Sequence, residues 1–219
     1  MGIDLYYDDL SPFCNSVRLL ARALGLQLDL KERNTDKDEQ LTPEYIQMNP
    51  QHTVPTINDD GYIMTESRAI LRYLVGKYGK DDSLYPKDLK DRAIVDQRLD
   101  FDAGTLSARW QFVCMYPVVK DGKKSLNEAV LNKLDEALGI LDIYIKKSGG
   151  YVAGNHLTIA DFAIVGPVSC IEMMELLDVS RHEHVWAWLS KCKAEMNGYE
   201  EENGCKVSNN KEWIRNALA

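Results

Sequence analysis

No apolar run in this sequence approaches the length of a bilayer crossing. The stretch from Ala160 to Val168 is broken by Asp161, whereas a spanning helix needs about 20 consecutive apolar residues. Basic charge is also scarce, with 26 Lys and Arg against 34 Asp and Glu, a net charge of −8 and a pI near 5.1. A polyanion partner requires clustered Lys and Arg, so nucleic acid is excluded as an expected partner, and so is a membrane. The short basic cluster Lys120 to Lys124 is interrupted by Asp121 and Gly122 and reads as a solvated turn. The five cysteines (Cys14, Cys114, Cys170, Cys192 and Cys205) form no CxxC pair and no Cys/His cluster of zinc spacing. Their odd number forbids complete pairing, so reduced thiols, no metal site and a cytoplasmic location are expected. The first residues enter a strand pattern without a basic region, an apolar core or a cleavage site, so no secretory leader is expected.

What is present is a change of pattern partway along the chain. Up to about residue 80, strand-like and helix-like segments alternate. Ile3 to Tyr7 reads as a strand, and Ser11 to Leu24 as a helix stopped at Gly25. Leu28 to Arg33 reads as a strand, and Pro43 to Met48 as a short helix capped by Thr42. Thr53 to Asn58 and Tyr62 to Thr65 form a hairpin through Asp59-Asp60-Gly61, and Ser67 to Lys77 a further helix. That order predicts an α/β thioredoxin-like domain over residues 1–80, then a polar linker over 81–87 containing Pro86. Helical periodicity in Ala93 to Val119, Leu126 to Ile145, Ile159 to Leu177 and Val185 to Met196 predicts an all-α domain over 88–219.

Three segments of the first domain carry chemistry. Ser11-Pro12-Phe13-Cys14 stands at a strand-to-helix junction, where unsatisfied N–H groups and the helix dipole favour an anion such as a thiolate. An ordinary helix cap explains Ser11 equally well. In Asn49-Pro50-Gln51-His52-Thr53-Val54-Pro55-Thr56, a proline at the start of a strand calls for an edge, a bulge or a cis bond. A cis Val54-Pro55 bond would leave the Val54 backbone able to pair with an extended peptide, while a rigid turn is the alternative. Thr65-Glu66-Ser67-Arg68 opens a helix whose N–H groups suit a carboxylate while Glu66 suits an ammonium, the two charges of a free amino-acid end, although simple capping fits as well.

Taken together, SPFCNSV, LTPEYIQMNPQHTVPTI, ESRAILRYLVGKYGKDDSLYP, RLDFDAGTL and LTIADFAIV resemble a cytosolic glutathione transferase of the insect delta and epsilon type. The resemblance implies an enzyme that conjugates glutathione to hydrophobic electrophiles, in detoxification or small-molecule metabolism. It implies that Ser11 hydrogen-bonds the glutathione sulfur and that Val54 beside cis-Pro55 pairs with the cysteinyl backbone, next to Thr53. Glu66 and Ser67 would hold the γ-glutamyl end, His52 would lie near the glycyl carboxylate, and Arg68 would edge the same pocket. Gln40 departs from the pattern, standing where many relatives carry a second His. Glutathione is implied as co-substrate, with no tightly bound cofactor. A homodimer is implied too, with Arg68 to Leu74 and Lys90 to Leu106 as its contact region.

The electrophile is expected between the domains, against Leu10, Pro12, Phe13, Arg109, Phe112, Val113 and Tyr116. The last four share one helical face by their spacing, with Trp110 on another, although that spacing also suits a core stripe. Leu157-Thr158-Ile159-Ala160-Asp161 matches a capping box, which assigns Asp161 to structure rather than to catalysis. Cys14 raises thiol–disulfide exchange as a rival chemistry, but Ser11 occupies the place where a redox relative carries its nucleophilic cysteine.

Overall fold

The computed structural model describes residues 2–119, 122, 126, 128–175 and 177–205, with the backbone alone at Val113, Cys114 and Val119. The basic cluster at Lys120 to Lys124 lies outside the described residues, apart from Gly122.

A four-stranded mixed sheet forms the first part, in the order β2-β1-β3-β4. Its strands are β1 (Ile3–Tyr7), β2 (Leu28–Glu32), β3 (Thr56–Asp59) and β4 (Tyr62–Thr65). β1 runs parallel to β2 with Ile3 opposite Leu28, and antiparallel to β3 with Ile3 opposite Asp59. Ile3 and Leu5 are buried because alternate residues of a strand face the same side. Helix α1 (Pro12–Leu24) makes the crossover between β1 and β2. Ser11 caps its start in an extended conformation, Pro12 fills its first turn, and Gly25 ends it at φ 70°, where a side chain would be strained. The short α2 (Pro43–Met48) is capped by Thr42, and α3 (Ser67–Tyr78) follows the hairpin. β3 begins at Thr56 rather than Thr53: the Val54-Pro55 bond is cis and Pro55 has no N–H to give the ladder.

Beyond residues 79–88, which form neither helix nor strand, the described chain is helical. Helix α4 (Leu89–Phe101) continues through π-helical turns at Asp102–Leu106 and Arg109–Met115 into α5 (Tyr116–Val119). The expected single helix from Ala93 to Val119 is therefore one rod whose phase shifts where the turns widen. Then come α6 (Glu128–Ser148), α7 (Ile159–Met173) and α8 (Glu183–Glu195), with a last π-helical turn at Glu200–Gly204.

Every residue of α7 from Ile159 to Ile171 is buried, because the helix packs against α1, α3, α4 and α8. Gly166 permits its closest approach to α1, since a Cβ there would lie 2.8 Å from the Pro12 carbonyl oxygen. Asp161, fully buried in the first turn of α7, is satisfied by four donors. Its Oδ2 accepts from Thr158 N at 2.8 Å and Thr158 Oγ1 at 3.0 Å, and its Oδ1 from Val152 N at 2.9 Å and Trp188 Nε1 at 2.8 Å. Asp161 therefore ties the start of α7 to α8 and to the preceding loop, which is more than a cap does.

Candidate functional site

A cavity of about 270 Å³ opens between the α/β part and the widened helix after α4. Thr53, Val54 and Pro55 form one wall, and Glu66, Ser67 and Arg68 at the start of α3 form the next. Phe13 comes from α1, and Ala103, Ser107, Ala108, Gln111 and Phe112 close the far side.

The cis-proline wall is built from behind by a polar network. Tyr45 Oη donates to the Thr53 carbonyl at 2.7 Å and to Thr56 Oγ1 at 3.0 Å. Asn49 Nδ2 donates to the same carbonyl at 2.9 Å and to the same hydroxyl at 3.0 Å. Asn49 and Tyr45 are buried, so these bonds replace water and hold the loop rigidly. Neither residue stood out in the sequence, although an Asn directly before Pro50 is a turn signal. Glu66 sits at φ 67°, a left-handed conformation uncommon for a residue with a side chain, and its carbonyl accepts the first bond of α3 from Ile70 N. The start of α3, whose first N–H groups have no partner within the helix, therefore stands at the cavity wall, and no acidic side chain occupies its first turn to compete for them.

Arg68 is held from both sides. Its Nε and Nη2 donate to Asp102 Oδ2 at 2.8 and 2.5 Å, and its guanidinium lies 5.2 Å from the centre of the Phe13 ring. Ser107 Oγ donates to the other oxygen of Asp102 at 2.6 Å. Burial pushes the Asp102 carboxyl up from its ordinary value, while Arg68 and Ser107 oppose that shift. Asp102 was also missed in the sequence. Its signal is an acid in an apolar stripe, since Leu99 and Leu106, fully buried, share its helix face.

Ser11 adjoins the cavity without lining it. Its Oγ accepts from Cys14 N at 3.4 Å, and its N donates to the Asp8 carbonyl at 3.1 Å. Capping uses an acceptor lone pair, so it is compatible with donation of the hydroxyl proton to another group. Cys14 beside it is fully buried, and burial pushes its thiol up to about 12 against the effect of Ser11. Cys14 is thus a protonated core residue near neutral pH, which removes the thiolate that disulfide exchange needs.

The remaining expected residues are distributed as follows. His52 is exposed at φ 46°, with its N donating to the Asn49 carbonyl at 2.8 Å, and it does not line the cavity. Gln40 Nε2 donates to the Thr35 carbonyl at 3.4 Å, while its buried Oε1 has no partner among the described residues. Leu10 is half-buried, with its N bonded to Asp8 Oδ1, and Pro12 is buried against Gly166. Phe112 lines the cavity while 61% exposed, and the ring of Tyr116, tilted against it with centres 6.3 Å apart, lies outside the lining. The Val113 side chain lies outside those described. Arg109 turns to α6, where Nη1 bonds the Lys133 carbonyl at 2.6 Å and Glu136 Oε2 at 2.8 Å. Trp110, expected on another face, does not line the cavity and packs edge-on against Phe13, at 6.2 Å. The π-helical turns account for the placement of Arg109, because an extra residue per turn rotates every later side chain relative to an α-helical count.

Among the described residues, no group of three or more His, Cys, Asp or Glu is placed to hold a metal ion. No helix among them is long and apolar enough to cross a membrane. The family model described as "Glutathione S-transferase, N-terminal domain" matches residues 5–82, and "Glutathione S-transferase, C-terminal domain" matches residues 100–195. The chain is 47% identical over 197 residues to glutathione S-transferase D7 of Anopheles gambiae, covering 89% of this chain and 88% of that one. Among solved structures, a delta-class glutathione transferase of Nilaparvata lugens is 45% identical with a TM-score of 0.93, covering 99% of this chain and all of the other. An epsilon-class glutathione S-transferase of Musca domestica is 38% identical with a TM-score of 0.94, over 99% and 98% of the two chains.

Proposed function

The chain belongs to the glutathione S-transferase family, of the insect delta and epsilon type, and on that premise we propose that Ser11 holds the sulfur of glutathione as a thiolate for attack on a hydrophobic electrophile. Glutathione is the co-substrate. The observation that carries the reading is the position of Ser11, at the start of a thirteen-residue helix whose first turn has no carboxylate. The partial positive charge of that helix end and the hydroxyl donor both favour the anion.

The size of the effect can be bounded. An unperturbed thiol with a pKa of ~8.5 is only a few per cent ionised near neutral pH, and lowering that pKa by ~2 units makes the thiolate the major form. A serine hydroxyl is far less acidic than a thiol, so it does not remove the proton. The thiol proton passes to water, the sulfur lone pair forms the new bond to carbon, and the leaving group departs with its electrons. Ser11 lowers the energy of the starting anion through its O–H donation.

The rest of the tripeptide is read onto the cavity walls. The Val54 backbone beside cis-Pro55 pairs with the cysteinyl unit, next to Thr53. Glu66 takes the γ-glutamyl ammonium, and Ser67 with the first turn of α3 takes its carboxylate, with Arg68 at the edge. His52 and the amide of Gln40 are the donors on the side of the glycyl carboxylate. Phe13 and Phe112 offer apolar surface to the electrophile, and Leu10, Pro12, Val113 and Tyr116 are its other expected contacts; Arg109 serves by holding the helix to α6.

On this reading residues 1–80 are the glutathione-binding domain, 81–87 the linker and 88–219 the domain that shapes the electrophile site. The active form is a homodimer joined through Arg68 to Leu74 and Lys90 to Leu106, working in the cytoplasm on xenobiotic or endogenous electrophiles. A conjugation assay with a chloronitroaromatic tests the activity: glutathione-dependent turnover supports it, and binding without turnover contradicts it. Light scattering that returns a monomer contradicts the dimer.

A further inference from the structure

Behind the Ser11 loop, one side chain joins segments that are remote in sequence. The Arg18 side chain is only 11% exposed, and its Nη1 donates to Asp9 Oδ1 at 3.0 Å in the loop between β1 and α1. Its Nε lies 2.5 Å from Glu202 Oε2, as a close ion pair rather than an aligned hydrogen bond. Its guanidinium carbon lies 5.1 Å from the centre of the Tyr7 ring, at the end of β1. The other oxygen of Glu202 takes Arg22 Nε at 2.7 Å. Glu202 is 7% exposed, and a carboxylate so enclosed is tolerated because two guanidiniums face it.

The loop from Asp8 to Ser11 is thus gripped on two sides. On one side Asp8 Oδ2 accepts from Thr35 N at 2.9 Å and Thr35 Oγ1 at 2.7 Å, while Oδ1 accepts from Leu10 N. On the other, Asp9 is tied through Arg18 to the turn Glu200–Gly204. A guanidinium is a rigid planar plate, so the nitrogen paired with Glu202 and the nitrogen bonded to Asp9 move as one unit, and a shift at Glu202 is passed to Asp9. An ammonium in the same place supplies the charge without that link.

We propose that Arg18 is a positioning residue for Ser11, bridging Glu202 to Asp9 and so setting where the serine hydroxyl sits relative to the glutathione sulfur. The inference rests on the reading of Ser11 given above. Through this bridge the end of the helical part acts on the sulfur without touching glutathione. The tripeptide is held mainly by Val54, Glu66 and Ser67 on other elements, so Arg18 bears on kcat and on the state of the sulfur, and little on glutathione affinity.

The test compares Arg18→Lys, Glu202→Gln and Asp9→Asn, each alone and combined with Ser11→Ala. The ultraviolet absorbance of the bound thiolate is titrated against pH, and kinetics are measured with a chloronitroaromatic. In the Ser11 background the bound thiol is expected to titrate about half a unit higher or more. There kcat falls by about tenfold, in keeping with misplacement of a group near the reacting atom, while KM for glutathione changes by no more than about twofold. In the Ser11→Ala background the same substitutions change neither reading. Asp9 is more exposed than its partners, so Asp9→Asn reports even if a change at Arg18 or Glu202 impairs folding. Lowered melting temperatures with an unchanged titration and kcat overturn the proposal by making Arg18 a structural staple. Equal thiol shifts in both backgrounds overturn it too, because Arg18 then acts through its charge and not through Ser11. If Ser11→Ala alone leaves the titration unmoved, the underlying reading of Ser11 has failed instead, which is a separate result.

Discussion

Asp102, with no exposed surface, receives both Nε and Nη2 of Arg68 on a single oxygen, at 2.8 and 2.5 Å. The pair joins the α/β part to the helical part beneath the cavity, and Ser107 engages the second oxygen. Asp102→Asn removes the charge and leaves Arg68 facing the cavity without its counter-ion. Breaking a buried pair by losing one partner costs ~3–5 kcal/mol, and the partial exposure of Arg68 lowers that to about 2–3 kcal/mol. Thermal denaturation should show this loss, and KM for glutathione should rise more than kcat falls. A variant as stable as the parent, with the same KM, contradicts this role for the pair.

Asp161 makes a larger structural prediction. Replacement by Ala removes an acceptor from Val152 N, Thr158 N, Thr158 Oγ1 and Trp188 Nε1 at once. Each buried donor left without a partner costs ~1–3 kcal/mol, so a loss of about 3–5 kcal/mol is expected after relaxation. Activity per folded molecule stays the same. Activity lost at an unchanged melting temperature would reverse the assignment.

At Gly166 two effects oppose each other. Inside a helix, Gly is ~1 kcal/mol less favourable than Ala, which argues that Gly166→Ala stabilises. Yet the new Cβ would lie 2.8 Å from the Pro12 carbonyl oxygen and 3.0 Å from its Cβ, too close for backbone that cannot swing aside. Overpacking costs ~1–3 kcal/mol and wins. We expect a lower melting temperature together with a fall in kcat, because Pro12 is bonded to Ser11. A stabilised, fully active variant would show that the α1–α7 contact yields freely.

Acid sensitivity is expected at Asp142. Burial pushes its carboxyl up, but hydrogen bonds from Val185 N and from the ring and N–H of His184 outweigh this, leaving it below its ordinary value. A carboxylate depressed on folding contributes stability above its unfolded pKa of ~3.9 and loses it as pH falls through the folded value. Asp142→Asn should therefore melt lower than the parent near neutral pH, with the difference narrowing below about pH 4. A difference that persists undiminished in acid would contradict this.

The sequence revealed those features whose physics is local. Ser11 and Thr42 as caps, Gly25 as a left-handed stop, the Asp60-Gly61 turn and the capping position of Asp161 all depend on a few neighbouring residues. Local physics at Val54-Pro55 and Glu66-Ser67-Arg68 left a rigid turn and simple capping open, and it was the resemblance of the whole set of motifs that singled out these residues, which line the cavity. Residues acting across the fold were not. Asp102, Asn49 and Tyr45 matter through partners that only packing brings near, and Arg18 through Glu202 at the far end of the described chain. The turn of Arg109 toward α6 had a further cause, since a count of 3.6 residues per turn loses its phase across π-helical turns.

The most direct test of the account is the pH titration of the thiolate absorbance of glutathione bound to the parent and to Ser11→Ala. The parent should ionise the thiol ~2 units below its free value, and Ser11→Ala should return it most of the way while glutathione still binds. An equally depressed value in Ser11→Ala would mean that the helix end alone holds the sulfur and that Ser11 is only a cap.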